Sequence, residues 1–194
     1  MNGSAQVCGR VVIVPPLNED EQAYVAAFTR SRRGRRDGGP YAVPGNPAAE
    51  DGPLSSRVPA RLARPAGPAG PESSADDQPS QWCPWTVCWD GCCLALDVRL
   101  PRERAGDWMR YLIDHFFRTG AFVSSLGLRD FRVFTFDHRL DGVVVSTLPE
   151  GRGRQTLLIV VTNNSVYDEL MTADDPRLAT GAGPDAAPPG GHPR

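Results

Sequence analysis

The chain lacks the segments that membrane and secreted proteins carry. No apolar run approaches the roughly 18 residues that cross a bilayer, and no basic start followed by an apolar stretch opens the sequence. The formal net charge is only −2 over 194 residues, so neither sign of charge dominates. These absences predict a cytoplasmic protein without a membrane partner, and they do not favour nucleic acid as a partner.

Lysine is absent, and all 21 basic residues are arginine. This composition is typical of a high-GC genome and does not by itself indicate binding. One dense group lies at the C-terminal end of the first predicted helix: Arg30, Arg32, Arg33, Arg35 and Arg36. It would suit an acidic protein surface as a binding partner. The alternative is that these charges are solvated and only complement the partial negative charge at the helix C-terminus.

Motifs for common catalytic chemistry are also missing. The sequence contains neither a phosphate-binding glycine loop nor a G-x-S-x-G nucleophile turn, and no cofactor is predicted. The polar residues that remain as weak catalytic candidates are Asp137, His138 and Asp141. Because neighbours on a strand point to opposite faces, Asp137 and His138 cannot work as a pair unless the strand is interrupted.

The five cysteines are an odd number, which rules out a complete set of intrachain disulfides. Four of them lie close together in the sequence: Cys83, Cys88, Cys92 and Cys93. Their spacing does not match the paired C-x2-C motifs of zinc sites. A two-residue type I′ turn at the Asp-Gly dipeptide would place Cys83 and Cys92 on the core face of a hairpin and Cys88 and Cys93 on the other. This division predicts no metal site, and it leaves Cys88 and Cys93 as a cross-strand pair suited to a thiol switch.

The pattern of apolar residues predicts an α+β fold. Residues 6–14 are rich in β-branched side chains, and Asn18 with Glu21 forms a capping box for a helix over about 19–32. After the cysteine hairpin, apolar residues at helical spacing predict a second helix between Pro101 and Phe117. Trp85, Trp89 and Trp108 are expected to fill the core between sheet and helices.

Further strands are expected in the last third of the sequence. One long or bent strand is predicted over 130–146, with a bulge near 141–142. Residues 156–162 are continuously apolar, which is typical of a central strand covered on both faces. Asn163-Asn164 then turns the chain into a short last strand. The order indicates a mostly antiparallel sheet of four to six strands with two helices on one face, ferredoxin-like in character.

Two segments contain almost no large apolar residues and are predicted to be disordered. These are a Pro/Ala/Gly-rich insert at 44–80 and the tail at 172–194. The single domain would therefore be assembled from residues 1–43, which supply the first strand and helix, and residues 81–171.

Several strings of the sequence are informative together. They are GRVVIVPPL at 9–17, EQAYVAAF at 21–28, QWCPW at 81–85, DWMRYLIDHFF at 107–117 and FTFDHRLDG at 134–142. In order and spacing they resemble a family of small uncharacterised proteins from actinobacteria and their phages. The resemblance implies a shared fold, but it implies no known activity and transfers no catalytic residues. This chain departs from it by the long insert and by the cysteines around the hairpin turn.

Three hypotheses about function follow from the sequence. The favoured one is a non-enzymatic module that binds another macromolecule, because signals for catalysis are weak and an arginine-rich helix end is present. The alternative is a small enzyme with a polar site near Asp137, His138 and Asp141. A third hypothesis is the thiol switch at Cys88 and Cys93. The sequence does not specify the oligomeric state.

Overall fold

The computed structural model describes residues 6–33, 40–43, 78–149 and 154–172. Its strands are β1 (Gln6–Val14), β2 (Trp85–Val87), β3 (Cys93–Leu96), β4 (Arg139–Pro149), β5 (Arg154–Thr162) and β6 (Ser165–Thr172). Its helices are α1 (Glu19–Arg30) and α2 (Ala105–Leu112), and α2 continues into a π-helical turn (Ile113–Phe117). Short 3-10 turns span Phe122–Ser125 and Arg129–Phe131.

The six strands form one open sheet in the order β2-β3-β1-β4-β5-β6. Every pair of neighbours is antiparallel. Strand β3 lies between β1 and β2, and β1 lies between β3 and β4, so the two β-α-β units are interleaved. This arrangement confirms the predicted α+β fold.

Helix α1 begins as the sequence predicts. The Asn18 side chain accepts a hydrogen bond from the Glu21 N–H at 2.9 Å, and the Glu21 carboxylate accepts from the Asn18 N–H at 2.8 Å. This reciprocal capping box satisfies two N–H groups that have no partner within the helix. The helix ends at Arg30, two residues before the predicted end, because Ser31 is extended.

The core lies between one face of the sheet and both helices. Val11 and Ile13 of β1 are buried, whereas the alternate residues Val12 and Val14 are exposed on the opposite face. Aromatic rings of the two helices meet above the buried face, and the ring centroids of Phe28 and Trp108 are 6.3 Å apart. Trp85 and Trp108 are fully buried, as predicted, whereas the same prediction for Trp89 is wrong, since 89 % of its surface is exposed.

The predicted strand over 130–146 is correct only in its second half. Residues before Arg139 form a 3-10 turn and an irregular segment, and Phe136 has a φ of 52°, which an extended strand does not allow. Phe131 and Phe134 pack edge-on against Tyr24 of α1, with ring centroids 5.0 and 5.5 Å away, instead of lying in the sheet. The predicted bulge is also wrong, since β1 and β4 pair continuously through Gly142.

The turn between β5 and β6 is the one predicted. Asn163 and Asn164 have φ values of 48° and 66°, the pair of positive angles that a type I′ turn requires. Strand β6 then runs to Thr172, well beyond the short strand expected.

The boundaries of the predicted insert need correction at its C-terminal end. Gln78 is buried and donates to the Pro40 carbonyl at 2.9 Å, and the Ser80 hydroxyl accepts from the Trp108 indole N–H at 2.8 Å. Residues 78–80 are therefore part of the folded domain. The rest of the insert and the tail after Thr172 lie outside the described residues. Neither described helix has the length and apolar character that a bilayer crossing requires.

Candidate functional site

The predicted arginine surface is not formed as expected, because Arg33 is buried. Only 1 % of Arg33 is exposed, and its guanidinium lies 4.2 Å from the centre of the Phe28 ring. It donates to the carbonyls of Ser31, Pro40 and Ala42 at 3.2, 3.4 and 3.4 Å. Arg33 therefore holds the chain after α1 against the core, and it is unavailable to a partner.

The other members of the arginine group are separated from it. Arg32 donates to the Gln81 side chain at 3.0 and 2.6 Å, and Arg30 is exposed at the end of α1. Arg35 and Arg36 lie outside the described residues. The described part of the chain thus contains two exposed arginines of the group, Arg30 and Arg32, and one buried arginine, Arg33.

The predicted polar site at Asp137, His138 and Asp141 is not assembled either. His138 is buried, while Asp137 is exposed on the other side of the chain. Asp141 accepts from Arg139 at 2.9 Å and from the Asn163 N–H at 2.8 Å, at the surface. His138 is therefore buried, whereas Asp137 is exposed and Asp141 is paired at the surface, and no hydrogen bond joins any two of these three described side chains.

His138 instead forms a buried ion pair with Glu21 that the sequence did not suggest. Its Nε2 lies 3.2 Å from a Glu21 carboxylate oxygen, and both side chains are 1 % exposed. Its Nδ1 lies 2.8 Å from the Pro15 carbonyl oxygen. The Thr135 hydroxyl also lies 3.1 Å from Nε2, and it donates to the Glu21 carboxylate at 3.0 Å. A carboxylate beside Nε2 and a carbonyl oxygen beside Nδ1 both favour the doubly protonated imidazolium. Glu21 is recognisable from the sequence only as a helix cap.

The pKa of Glu21 is lowered and the pKa of His138 is raised, so both shifts favour the charged forms. Burial opposes ionisation of Glu21, but hydrogen bonds from His138, Thr135 and the Asn18 N–H outweigh it and lower its pKa to about 2. Burial likewise opposes the charge on His138, and its hydrogen bonds to Glu21 and Pro15 outweigh this and raise the pKa of His138. The pair is a structural element between α1 and the segment before β4.

A groove of about 510 Å³ runs beside α2, with charged residues of both signs and His115 in its lining. His115 stacks on Tyr111 with ring centroids 3.8 Å apart, and its Nδ1 lies 2.6 Å from the Tyr41 hydroxyl oxygen. The carboxylate of Asp107 pairs with Arg104 and with Arg110. These charges neutralise one another instead of converging on a common point in the groove.

Three thiols converge at the turn between β2 and β3. The sulfurs of Cys88, Cys92 and Cys93 all lie within 4.8 Å of one another, and those of Cys88 and Cys92 are 3.6 Å apart. The Asp90 carboxylate adjoins them, because its Oδ1 accepts from the Cys88 thiol at 2.9 Å. We refer to residues 88–93 as the thiol turn.

The thiol turn overturns the predicted division of the cysteines between two faces. Val87 pairs with Leu94, as predicted, and the Cys88 N–H donates to the Cys93 carbonyl at 3.0 Å. The turn itself is different, since Gly91 has a positive φ and Asp90 does not. The loop that follows the Cys88–Cys93 hydrogen bond is four residues long, from Trp89 to Cys92, and not the two residues predicted. Cys92 therefore lies in a loop where strand alternation does not apply. The thiol switch at Cys88 and Cys93 stays a prediction.

The Cys88 thiol is not an activated nucleophile. Burial, followed by the hydrogen bond to the negatively charged Asp90 carboxylate, raises its pKa to about 12. The Asp90 carboxylate lies beside the Cys92 thiol as well, and it raises the pKa of Cys92. At neutral pH these two groups are protonated, and the cluster has little of the thiolate character that redox-active cysteines need.

The sheet face opposite the helices is the second feature of interest. Four strands contribute one row of neighbouring side chains to it: Arg10, Val143, Val160 and Tyr167. The adjacent row consists of Cys8, Val145, Leu158 and Glu169. The two described helices pack on the opposite face of the sheet, and Val143 and Tyr167 are 49 % and 55 % exposed. The Tyr167 hydroxyl donates to the Glu169 carboxylate at 2.7 Å. We call these two rows, with Val12 and Val14 beside them, the open face.

Strand β5 is apolar on both faces, although the helices cover only one of them. The sequence predicts that residues 156–162 are covered on both faces, yet only Leu157, Ile159 and Val161 are buried. Leu158 and Val160, on the open face, are half-buried. An antiparallel sheet with one solvated face normally carries polar residues there. This face instead carries apolar residues at its centre, with Arg10 at the β1 end and Glu169 at the β6 end.

Comparison with known proteins gives no relative from which a function could be transferred. No protein-family model, no curated protein and no solved structure matches the chain.

Proposed function

We propose that this protein is a non-enzymatic binding module that acts by protein–protein contact through its open face, and that the surface it binds is the open face of a second copy. The observation that carries the proposal is the row of neighbouring apolar side chains across β4, β5 and β6, in which Val143 and Tyr167 are exposed and Val160 between them is half-buried. Contiguous exposed apolar surface of this kind marks interaction sites in water-soluble domains.

The charges at the ends of the rows favour a second copy as the partner. Arg10 stands at the β1 end of one row, and Glu169 stands at the β6 end of the next. A copy rotated by half a turn about an axis parallel to the strands would bring Arg10 opposite Tyr167 of the other copy, with Glu169 of that copy in the next row, two residues further along β6. The valines would then meet across the two-fold axis, as in a self-complementary interface. Two sheets packed in this way lie about 10 Å apart.

An acidic protein surface is the partner that the sequence first suggested. Support for it is weaker, because Arg33 is buried and Arg32 is bonded to Gln81. Next to the open face, Arg139 and Asp141, the β4 partners of Val14 and Val12, form an ion pair, so this side of the sheet has no uniform positive charge. A surface that carries both signs of charge is electrostatically more complementary to a second copy of itself than to a uniformly acidic surface.

The proposal is tested by the oligomeric state of the full chain. Sedimentation velocity over a range of concentrations is expected to give a dimer for the wild-type protein. The Val143→Asp variant is expected to weaken dimerisation at least tenfold, equivalent to ~1.4 kcal/mol, because it places two like charges in the centre of the interface.

Val133→Asp is the matched control, since Val133 is 50 % exposed and lies outside the sheet. It should leave the dimer unchanged. A wild-type chain that is monomeric at every concentration contradicts self-association. A chain that remains monomeric until an acidic protein is added would favour the arginine hypothesis instead.

The proposal includes three narrower statements that rest on the sequence. They are a cytoplasmic location, a relationship to the small actinobacterial and phage proteins, and a fold that is ferredoxin-like in character. The last is supported by the strand order β2-β3-β1-β4 with one helix in each crossover.

A further inference from the structure

We propose that the thiol turn is a binding site for a thiophilic divalent cation with the chemistry of Zn²⁺, held by the sulfurs of Cys88, Cys92 and Cys93. This site is independent of the proposed contact through the open face. Three sulfur ligands from one short loop leave a fourth position for an oxygen ligand, and the Asp90 carboxylate adjoins the sulfurs.

The sulfur positions are close to those that a tetrahedral ion needs. Zinc–sulfur bonds are about 2.3 Å long, so two sulfurs on one tetrahedral zinc ion lie ~3.8 Å apart. The Cys88 and Cys92 sulfurs are separated by 3.6 Å, and no pair among the three exceeds 4.8 Å. The third sulfur therefore needs to move by about 1 Å or less to complete the set.

The backbone of the thiol turn is held in place without an ion. The Cys92 carbonyl accepts from the Ile13 N–H of β1 at 2.8 Å, and the Gly91 carbonyl accepts from the Leu17 N–H at 3.1 Å. The Gln22 side chain of α1 donates to the Cys88 carbonyl at 2.9 Å. Because these bonds fix the loop, little conformational entropy remains to be lost when a cation binds.

Hydrogen bonding around Cys88 suits a bound thiolate. The Cys93 N–H points at the Cys88 sulfur, with a distance of 2.9 Å between nitrogen and sulfur. A backbone donor directed at sulfur stabilises its negative form. Ligands of a metal ion are commonly fixed by such outer hydrogen bonds, whose loss costs about 10–100-fold in affinity.

The donor set distinguishes between classes of cation. Thiolates bind Zn²⁺ and Cu⁺, whereas Mg²⁺ and Ca²⁺ prefer a full set of oxygens. The Asp90 oxygen is a hard ligand that Zn²⁺ accepts and Cu⁺ does not favour. Around zinc this oxygen would lie ~3.5 Å from each sulfur, so it must move outward from its present 2.9 Å contact with Cys88.

The test uses the full chain, freed of metal with a chelator and kept reduced. Titration with Cd²⁺ should produce a thiolate-to-metal charge-transfer band that saturates at a single equivalent, and Zn²⁺ should displace the Cd²⁺. Trp89, exposed within the turn, gives a second signal, because its fluorescence should change over the same titration.

Variants locate the ion. Cys88→Ser and Cys92→Ser should each lower the affinity at least ~100-fold, since loss of a ligand costs no less than loss of its outer hydrogen bonds. Cys8→Ser is the matched control, because Cys8 is also a free thiol but lies on β1 away from the turn. It should bind Cd²⁺ like the wild type. Asp90→Asn should weaken binding, whereas Asp97→Asn, on the same hairpin, should not.

Several results would overturn the proposal. One is a wild-type chain that gives no charge-transfer band with Cd²⁺, and another is a Cys92→Ser variant that binds as tightly as Cys8→Ser. Binding of Cu⁺ without binding of Zn²⁺ would contradict the assignment to a divalent ion. Unchanged affinity in Asp90→Asn would remove Asp90 as the fourth ligand. Far-UV circular dichroism of each variant verifies that it is folded.

Discussion

At the scale of single residues, the Glu21–His138 pair is the most consequential contact of the described chain. It is buried, and each carboxylate oxygen and ring nitrogen has a partner: the Thr135 N–H donates to Glu21 at 2.6 Å, for example. A buried ion pair of this kind adds little more to the free energy of unfolding than apolar side chains of similar volume would. Loss of one partner is costly, however, because the other charge stays buried without a counter-ion. The pair therefore makes the fold sensitive to either residue.

We predict that His138→Gln lowers the free energy of unfolding by ~3–5 kcal/mol at weakly acidic pH, because the Glu21 carboxylate remains buried without its counter-ion. Urea denaturation followed by tryptophan fluorescence measures this loss. Asp141→Asn, which breaks an exposed pair with Arg139, should cost no more than about 1 kcal/mol. Equal stability of the two variants would mean that the buried pair is not ionised.

The His138→Gln variant should also lose part of the pH dependence of the free energy of unfolding. The folded-state pKa of His138 is raised above 6.5. Its contribution to the free energy of unfolding is therefore complete below about pH 6.5 and is lost as the pH rises through the raised pKa. The pKa of Glu21 is lowered from 4.5 to about 2, so its contribution is present above pH 4.5 and is lost as the pH falls toward 2. The stability gap between wild type and His138→Gln should therefore be widest between these limits and narrow on both sides.

Sequence patterns could not have found this pair. The capping box at Asn18 and Glu21 is a local signal, and it was predicted correctly. The contact between Glu21 and His138 joins positions far apart in the chain, and no spacing rule relates them. Similarly, Arg33 looks like part of a charged surface in the sequence, and only the fold shows that it covers the Phe28 ring.

At the scale of elements, the thiol turn shows where strand alternation stops being a valid guide. The alternation rule gave the correct register for Val87 and Leu94, because both lie in extended strands. It failed at Cys92 and Trp89, which belong to a loop longer than the assumed two residues. The convergence of the three sulfurs depends on this loop, so the sequence argument against a metal site rested on the wrong turn geometry.

Gly91 should be essential to the position of the thiol turn. Its φ is 70°, and a Cβ atom placed there would lie 2.8 Å from the Leu17 carbonyl oxygen, which is backbone and cannot easily move. Gly120 has nearly the same φ of 72°, but a Cβ there would meet nothing within 4 Å. The two glycines share the backbone strain and differ only in the close contact.

We predict that Gly91→Ala lowers the free energy of unfolding by at least ~1 kcal/mol more than Gly120→Ala, because it adds an overpacked contact to the strain of a positive φ. Thermal or urea unfolding of the two variants gives the difference. Gly91→Ala should also move the Trp89 emission, since the turn must shift away from Leu17. Equal losses in both variants would mean that the turn does not pack closely on the segment after β1.

At the scale of the whole molecule, the fold class was predictable and the role of each face was not. The order of the elements and the spacing of their apolar residues were sufficient to predict one mostly antiparallel sheet with two helices. The continuous apolar run in β5 predicted that both of its faces are covered, yet only Leu157, Ile159 and Val161 on one face are buried. It could not say that the helices cover one of them and leave Leu158 and Val160 on the open face.

The strand order predicts that the two segments on either side of the insert depend on each other for folding. The first part is residues 1–43, and the second part begins at residue 78. Strand β1 comes from the first part, yet it lies between β3 and β4 and pairs with both. It also supplies Val11 and Ile13 to the core, and α1 supplies Phe28. The second part of the chain alone would therefore have a gap in the middle of its sheet, with unpaired backbone groups on both sides.

We predict that a fragment of residues 78–194 does not fold alone, and that adding a separate fragment of residues 1–43 restores the fold without a covalent link between them. Recovery of the far-UV circular dichroism and of the buried tryptophan emission on mixing measures this complementation. An Ile13→Asp substitution in the short fragment should abolish it, because Ile13 is in the core, whereas Val12→Asp should not, because Val12 is on the open face. A cooperative unfolding transition in the long fragment by itself would contradict the prediction, since the sheet would then be stable without its central strand.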